Sequence, residues 1–341
     1  MRAAQLRGIG QLALRDLPDP VARPGHVVLR VAACGICGTD RHIFHGDYPS
    51  ALPVVLGHEF AGVVVAASEA SHSLLGVSAA IDPNISCGSC VFCRRGDVCL
   101  CPNRVALGVD LDGGLAELVE VPESQVYSLP AGFPVELGAL CEPLACCLRA
   151  LDLAKVAPGM SVAIVGGGII GQLMVQLVRL AGATSIVLIT RQYGRRKLAE
   201  QFGATATMDP RSVDVVSTVT DSTGPAPGGV DVAIECVGAV ETFEQCVAMA
   251  RRGGTVLVFG VTPQGETARI SPFEIFAKEL SILGSYLNPL THGRAVELAA
   301  SGRLDLAPLI SHRVGLAELP DMLAHGPEPS EVKVLVTPGA V

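Results

Sequence analysis

The sequence contains no tryptophan and only 4 Tyr and 9 Phe among 341 residues, so any core it forms is aliphatic. Positive charge is also short: 25 Lys and Arg face 33 Asp and Glu, for a net charge of -8. A dedicated nucleic-acid binder draws its affinity from neutralising phosphates, and this balance argues against that class of partner. No charge run, internal repeat or low-complexity linker interrupts the chain. The stretch Met1-Arg2-Ala3-Ala4-Gln5-Leu6-Arg7-Gly8 lacks the apolar run of a secretory signal. One uncharged segment, Val156 to Val178, is long enough for a bilayer span, but Pro158, Gly159, Gly166 to Gly168, Gly171, Gln172 and Gln176 break it up. A short strand, a glycine turn and a buried helix explain it better. The expectation is a cytoplasmic protein with no membrane or nucleic-acid partner.

Apolar residues make up 49% of the chain, too many for disorder, and its 38 Gly and 23 Pro follow no collagen period. At roughly 100–200 residues per domain, the length calls for about two domains. The 12 cysteines of a chain without a secretory signal read as metal ligands and buried thiols rather than disulfides.

The early part of the sequence is short, Val-rich and punctuated by Gly and Pro. Val27 to Val31 and Ala61 to Val65 read as strands, and Leu115 to Val121 alternates apolar and acidic residues. That spacing predicts a β-rich sandwich or barrel. From about Ala150 the pattern changes. Strands at Ser161–Val165, Ser185–Thr190, Val230–Ile234 and Thr255–Phe259 alternate with helices at Ile169–Leu180, Arg195–Phe202 and Val240–Ala250. Such alternation predicts parallel βαβ units. The tail, with a helix at Leu319–His325 and a strand at Lys333–Val336, rejoins the first domain. The expected fold class is α/β: a β-rich domain over 1–149 and 285–341, and a doubly wound parallel sheet over 150–284.

Gly166-Gly167-Gly168-Ile169-Ile170-Gly171 follows a strand and opens a helix. In that context Gly166 permits a tight turn, Gly168 lets a pyrophosphate approach the backbone, and Gly171 lets helix and strand pack closely. Ile170 lies in the same first turn. An NAD site places an acid roughly 20 residues further on, at the end of the second strand. Here that strand ends in Thr190-Arg191-Gln192, with Arg195 and Arg196 following. Thr190, Arg191 and Arg196 in place of an acid fit a 2′-phosphate, so NADP(H) is expected in preference to NAD(H). The bland alternative is a set of solvated charges at a helix start.

Cys87, Cys90, Cys93 and Cys101 are spaced by three, three and eight residues in a polar loop, with Cys99 an alternative to Cys101. Four thiolates without an open position make a closed structural zinc site.

This quartet, between a β-rich start and a dinucleotide-binding unit, resembles the zinc-dependent medium-chain dehydrogenases, closest to the sorbitol, threonine and butanediol dehydrogenase branch. The resemblance implies a GroES-like catalytic domain joined to a Rossmann domain. It also implies a second, catalytic zinc. Cys34-Gly35-Ile36-Cys37-Gly38-Thr39-Asp40-Arg41-His42 is similar to the first ligand segment of that branch, with Cys37 as ligand. Gly57-His58-Glu59 is similar to the second, with His58 as ligand and Glu59 beside the metal; Cys141-Glu142-Pro143 is similar to the third, with Glu142 as ligand. Either acid, Glu59 or Glu142, can occupy the resting position. Cys34, Cys141, Cys146 and Cys147 are expected to be packing thiols.

Thiolate, imidazole and carboxylate leave one place for water or substrate. The resemblance further implies Asp40 orienting His58 and a proton relay through Thr39 and His42. It implies a zinc-dependent oxidoreductase moving hydride between NADP(H) and a secondary alcohol, diol or polyol and its ketone. The Arg-Tyr pair of sorbitol-type enzymes is missing from Gly284 to His292. Tyr286, Asn288 and His292 could line the pocket or cap structure. The alternatives are a zinc-free, NADPH-dependent quinone reductase and a non-enzymatic cofactor-binding scaffold; both metal motifs speak against the first. An exposed edge strand around Leu280–Tyr286 predicts a homodimer or homotetramer.

Overall fold

His26–Gly35, a strand of ten residues, is buried over most of its length because partners cover both of its edges. Glu59–Ala67 pairs with it antiparallel on one side, and Leu118–Pro122 and Lys333–Val336 pair with it on the other. A central strand buried in this way reads as a continuous apolar run rather than an alternating one. The sheet order is Val126–Ser128, Ser78–Ile81, Glu59–Ala67, His26–Gly35, Lys333–Val336, Ile310–Val314, with Leu118–Pro122 attached to the central strand. A second sheet joins Leu12–Asp16, Arg2–Leu6 and Val54–Val55. Leu6, Leu29, Leu56, Phe60, Ile81 and Leu115 belong to one buried, largely aliphatic core cluster. This is the β-rich architecture expected from the sequence. The central strand runs four residues beyond the expected Val31, which brings Cys34 opposite Phe60 and Gly35 opposite Glu59.

The computed structural model describes residues 1–339 and divides the chain into two compact units, one from Met1–Ala145 with 288 onward, the other Cys146–Leu287. The second unit is a six-stranded, all-parallel sheet in the order Ala206–Met208, Ser185–Ile189, Ser161–Val165, Val230–Glu235, Ala250–Val258, Ser281–Gly284. This is the doubly wound dinucleotide-binding order, in which the sequence of strands reverses beside the first one. Ser161–Val165 is buried from its second residue on, and the helix that follows, Ile169–Leu180, buries Leu173, Met174, Val175 and Val178. Among the described residues no helix is long and apolar enough to cross a membrane.

Candidate functional site

Cys37 ends the turn after the long strand and stands at the start of the helix Gly38–His45. Asp40, three residues on, returns its Oδ2 to the Cys37 N–H at 2.8 Å, satisfying one of the helix's orphan donors. Its other oxygen accepts from the Gly57 N–H at 3.2 Å. A fully buried carboxylate thus pins the two segments that carry Cys37 and His58. Gly57 has φ 95°, and a Cβ there would meet Cys34 Sγ at 2.6 Å, so only glycine admits this turn into His58.

The result is a convergence: one ligand atom each from Cys37, His58 and Glu59 lie within 4.8 Å of one another. His58 Nδ1 stands 3.5 Å from Asp40 Oδ1, a long contact, and has no hydrogen bond of its own although it is buried. Burial alone would push the His58 imidazolium down; Asp40 and then Cys37 outweigh it and hold the pKa well above the usual value. A thiolate, an imidazole and a carboxylate gathered out of water fit a zinc ion of the open, catalytic type. Glu142 falls outside this set of three; it lies in the first turn of the helix Cys141–Ala154, buried to 7% exposure. Of the two acids expected to compete for the ion, the structure brings Glu59 to the other donors.

Two further expected residues lie on the same short helix. The Thr39 hydroxyl is 3.7 Å from Cys37 Sγ. His42, one helical turn further out, has a side chain 41% exposed and its Nδ1 3.8 Å from Asp47 Oδ2. The sequence reading missed Lys333, whose buried ammonium donates to Glu59 Oε2 at 2.5 Å and to the Ile36 carbonyl at 2.9 Å. It also missed Arg41, which donates to Glu331 at 2.9 Å and to the Met322 carbonyl at 2.6 Å, tying the helix to the tail. The available signal was a lysine at the head of the otherwise apolar strand Lys333-Val334-Leu335-Val336.

Cys87, Cys90, Cys93 and Cys101 form the second group, with their sulfurs within 4.8 Å of one another. Cys101, not Cys99, completes it. The Cys93 N–H points at Cys90 Sγ and the Cys87 N–H at Cys101 Sγ, each at 3.5 Å. Donors from Ser89 and the Cys90 N–H hold Cys87 down to about 5, whereas burial and then Cys90 push Cys93 up to about 11. Sulfurs this close cannot all ionise without a cation between them, and a tetrahedral zinc is what four thiolates fit.

In the second unit the glycine loop behaves as its spacing requires. A Cβ on Gly171 would stand 1.9 Å from the Gly166 carbonyl oxygen, so helix and strand touch there. A Cβ on Gly168 would meet nothing within 4 Å, and the helix starts at Ile169 without a side-chain cap. Open space before uncapped N–H groups fits a pyrophosphate. Ile170 sits in that first turn, and the Thr190 side chain packs over Gly167. The buried Gln172 donates to the Gly167 and Arg195 carbonyls, at 3.2 and 2.8 Å, linking the loop to the next helix. Arg191 is exposed beyond the second strand. Arg196 is not open in the same way: it donates to the Thr190 carbonyl at 2.7 Å and to Asp209 at 3.1 Å, with its side chain 15% exposed.

Asn288 and His292 are both buried, with Asn288 Nδ2 3.4 Å from His292 Nδ1. Asn288 accepts from Asn84 at 2.8 Å and donates to Asp82 at 3.3 Å, and His292 is fully buried beside Tyr127. Burial raises Asp82 to about 6 and lowers His292 to about 3. Tyr286 is 47% exposed.

Comparison with known proteins agrees with this geometry. Residues 23–131 match the family described as alcohol dehydrogenase GroES-like domain, and residues 170–301 match zinc-binding dehydrogenase. The sorbitol dehydrogenase of Halalkalibacterium halodurans is 32% identical over 336 residues, covering 97% of each chain. The L-threonine 3-dehydrogenase of Pyrococcus horikoshii is 34% identical over 307 residues, covering 87% of this chain and 86% of its own. A zinc-binding dehydrogenase of Sinorhizobium meliloti 1021, solved bound to NADP, superposes with a TM-score of 0.97 at 49% identity over 99% of both chains.

Proposed function

The chain belongs to the zinc-type medium-chain alcohol dehydrogenases, and on that premise we propose that it moves hydride between NADP(H) and a secondary alcohol, diol or polyol and the corresponding ketone. The observation that carries this reading is the meeting of Cys37, His58 and Glu59 around one point, with the Thr39 hydroxyl beside the Cys37 sulfur. When bound, zinc would supply the Lewis acidity that acidifies the alcohol, and the nicotinamide would accept the hydride.

The chain's own residues do the rest. Cys37 and His58 hold the metal, and Glu59 or Glu142 completes the set. Asp40 fixes the two ligand segments. Thr39 takes the alcohol proton and His42, half exposed, returns it to water. The reaction balances as one alcohol and one oxidised cofactor giving one ketone, one reduced cofactor and one proton. Cys87, Cys90, Cys93 and Cys101 hold a structural zinc.

Gly166, Gly168, Ile170 and Gly171 seat the pyrophosphate. Thr190 and Arg191 meet the 2′-phosphate, with Arg196 bracing the Thr190 backbone. We assign 1–149 and 285–341 to the catalytic domain and 150–284 to the cofactor domain. The edge strand Ser281–Gly284 has one partner among the described residues, and Phe273 and Phe276 are 74% and 81% exposed on the helix Pro272–Lys278 nearby in sequence. These features support a homodimer or homotetramer paired along that edge. The 12 cysteines, four of them gathered as a thiolate metal site, fit a reducing cytoplasm.

The test is zinc analysis of the purified protein with parallel titration by NADPH and NADH, followed by a screen of secondary alcohols and polyols. Two zinc ions per chain, tighter binding of NADPH and turnover of a secondary alcohol are expected. Equal or tighter binding of NADH would sink the cofactor preference. Absence of zinc from protein prepared without chelator would sink the mechanism.

A further inference from the structure

The ends of the two adjacent strands Ser185–Ile189 and Ala206–Met208 carry more positive charge than the sequence motif alone announces. Beyond the first strand stands Arg191; beyond the second stand Asp209 and Arg211, whose guanidinium is wholly accounted for on one side. Its Nε donates to Asp209 Oδ1 at 3.0 Å, and one terminal nitrogen donates to Asp209 Oδ2 at 2.8 Å and to the Arg191 carbonyl at 2.7 Å. A guanidinium has five donors in a rigid fork. Three are used here, and the two on the other terminal nitrogen are open, on a side chain 64% exposed.

Asp209 decides how the arginines are allocated. It accepts from Arg196 at 3.1 Å as well as from Arg211. Its carboxylate is thereby spent on two cations and is not an acceptor for a ribose hydroxyl, the role an acid in this neighbourhood has in an NAD site. Arg191, Arg196 and Arg211 against Asp209 leave a net charge of two positives, which balances a phosphate monoester of about two negatives. Strand ends at the carboxyl edge of such a sheet are where ligands lie.

We infer that Arg211 is the second arm of the 2′-phosphate site: Asp209 and the Arg191 carbonyl hold its fork in place, and Arg211 and Arg191 together set the preference for a phosphorylated ribose. Arg196, tied back to the Thr190 carbonyl, positions the strand end instead. The inference rests on the NADP(H) reading and deepens it by naming the residue that confers it. Because the donor geometry is fixed before the ligand arrives, little side-chain freedom is lost on binding, which favours a fork over a mobile lysine.

The experiment uses the full-length, zinc-loaded protein and two probes that cannot react, adenosine 2′,5′-bisphosphate and 5′-AMP, with affinities measured by calorimetry. In the natural protein the bisphosphate is expected to bind more tightly. Arg211→Ala is expected to weaken the bisphosphate about ten- to hundredfold while leaving 5′-AMP unchanged. Arg211→Lys, which keeps a cation and loses the fork, is expected to fall between them. Unchanged affinity for the bisphosphate in Arg211→Ala overturns the inference. So does an equal loss for both nucleotides, since that would mean Arg211 shapes the loop rather than meets the phosphate. A natural protein that fails to distinguish the two probes fails at the earlier step, and removes the NADP(H) preference itself.

Discussion

Lys333 and Glu59 form an ion pair inside the protein, 274 residues apart in sequence, with Nζ 2.5 Å from Oε2 and each side chain 2% exposed. Burial alone would push the Lys333 ammonium down; Glu59, then Cys37, outweigh it and raise its pKa. Its stabilising contribution is therefore present at neutral pH and lost only as pH rises through that elevated value. Removing one member leaves the other as an uncompensated buried charge. Lys333→Met is expected to cost about 3–5 kcal/mol in urea unfolding of the protein stripped of zinc, where no metal compensates Glu59, and adding Glu59→Gln to recover a large part of it. If the two substitutions simply add, the pair is not a coupled unit.

The Thr39 and His42 roles separate by what each substitution spares. Thr39→Val removes the hydroxyl 3.7 Å from Cys37 Sγ and is expected to cut turnover by about 10²–10⁴-fold with both zinc ions retained. His42→Ala, at a half-exposed position, is expected to slow turnover less and to shift its pH profile. Natural rates in both variants would take the relay out of the mechanism.

Either Cys99 or Cys101 could close the thiolate site on spacing alone, and the structure chooses Cys101. Cys101→Ser is expected to lose one zinc per chain by elemental analysis, and Cys99→Ser to lose none. The reverse result would reassign the fourth ligand.

Asp82 gives a stability signature in mild acid. Burial raises its pKa from 3.8 to about 6, so the folded state holds a proton that the unfolded state gives up earlier. Its favourable contribution is complete below the unfolded value and is lost as pH rises through about 6. A shift of this size is worth roughly 3 kcal/mol. Asp82→Asn still accepts from the Asn84 N–H and has no proton to lose. Relative to the natural protein, it is expected to gain about that amount between pH 4 and 7, read from urea midpoints. A constant difference across that range would show that Asp82 titrates normally.

How far the sequence could be read depended on whether the cause was local. Ser161–Val165 and Ile169–Leu180 were legible to the residue, because an apolar run, three glycines and an amphipathic period sit side by side. The strand His26–Gly35 was read short, since Ala32, Ala33, Cys34 and Gly35 are small and carry no strand signal of their own; pairing with Glu59–Ala67 extends it. Two-residue strands such as Val54–Val55 and Asn84–Ile85 are too brief to show any period. Ligand types were legible from spacing and resemblance. Which arginine is open was not, because Asp209 allocates Arg196 and Arg211 only once neighbouring strands have paired. Lys333 was invisible for the same reason, its partner lying far away in the chain.

The contiguous unit Cys146–Leu287 sits in the sequence between the two parts of the other unit. Its parallel strands can close on one another using only their own stretch of chain. The other unit cannot seat Lys333 on Glu59, or Glu331 on Arg41, until loops of 274 and 290 residues have closed. Such long-range contacts form late. The nucleotide fold is therefore expected to mature first during folding, and the environment of Cys37, His58 and Glu59 to be among the last parts of the protein to acquire its final shape.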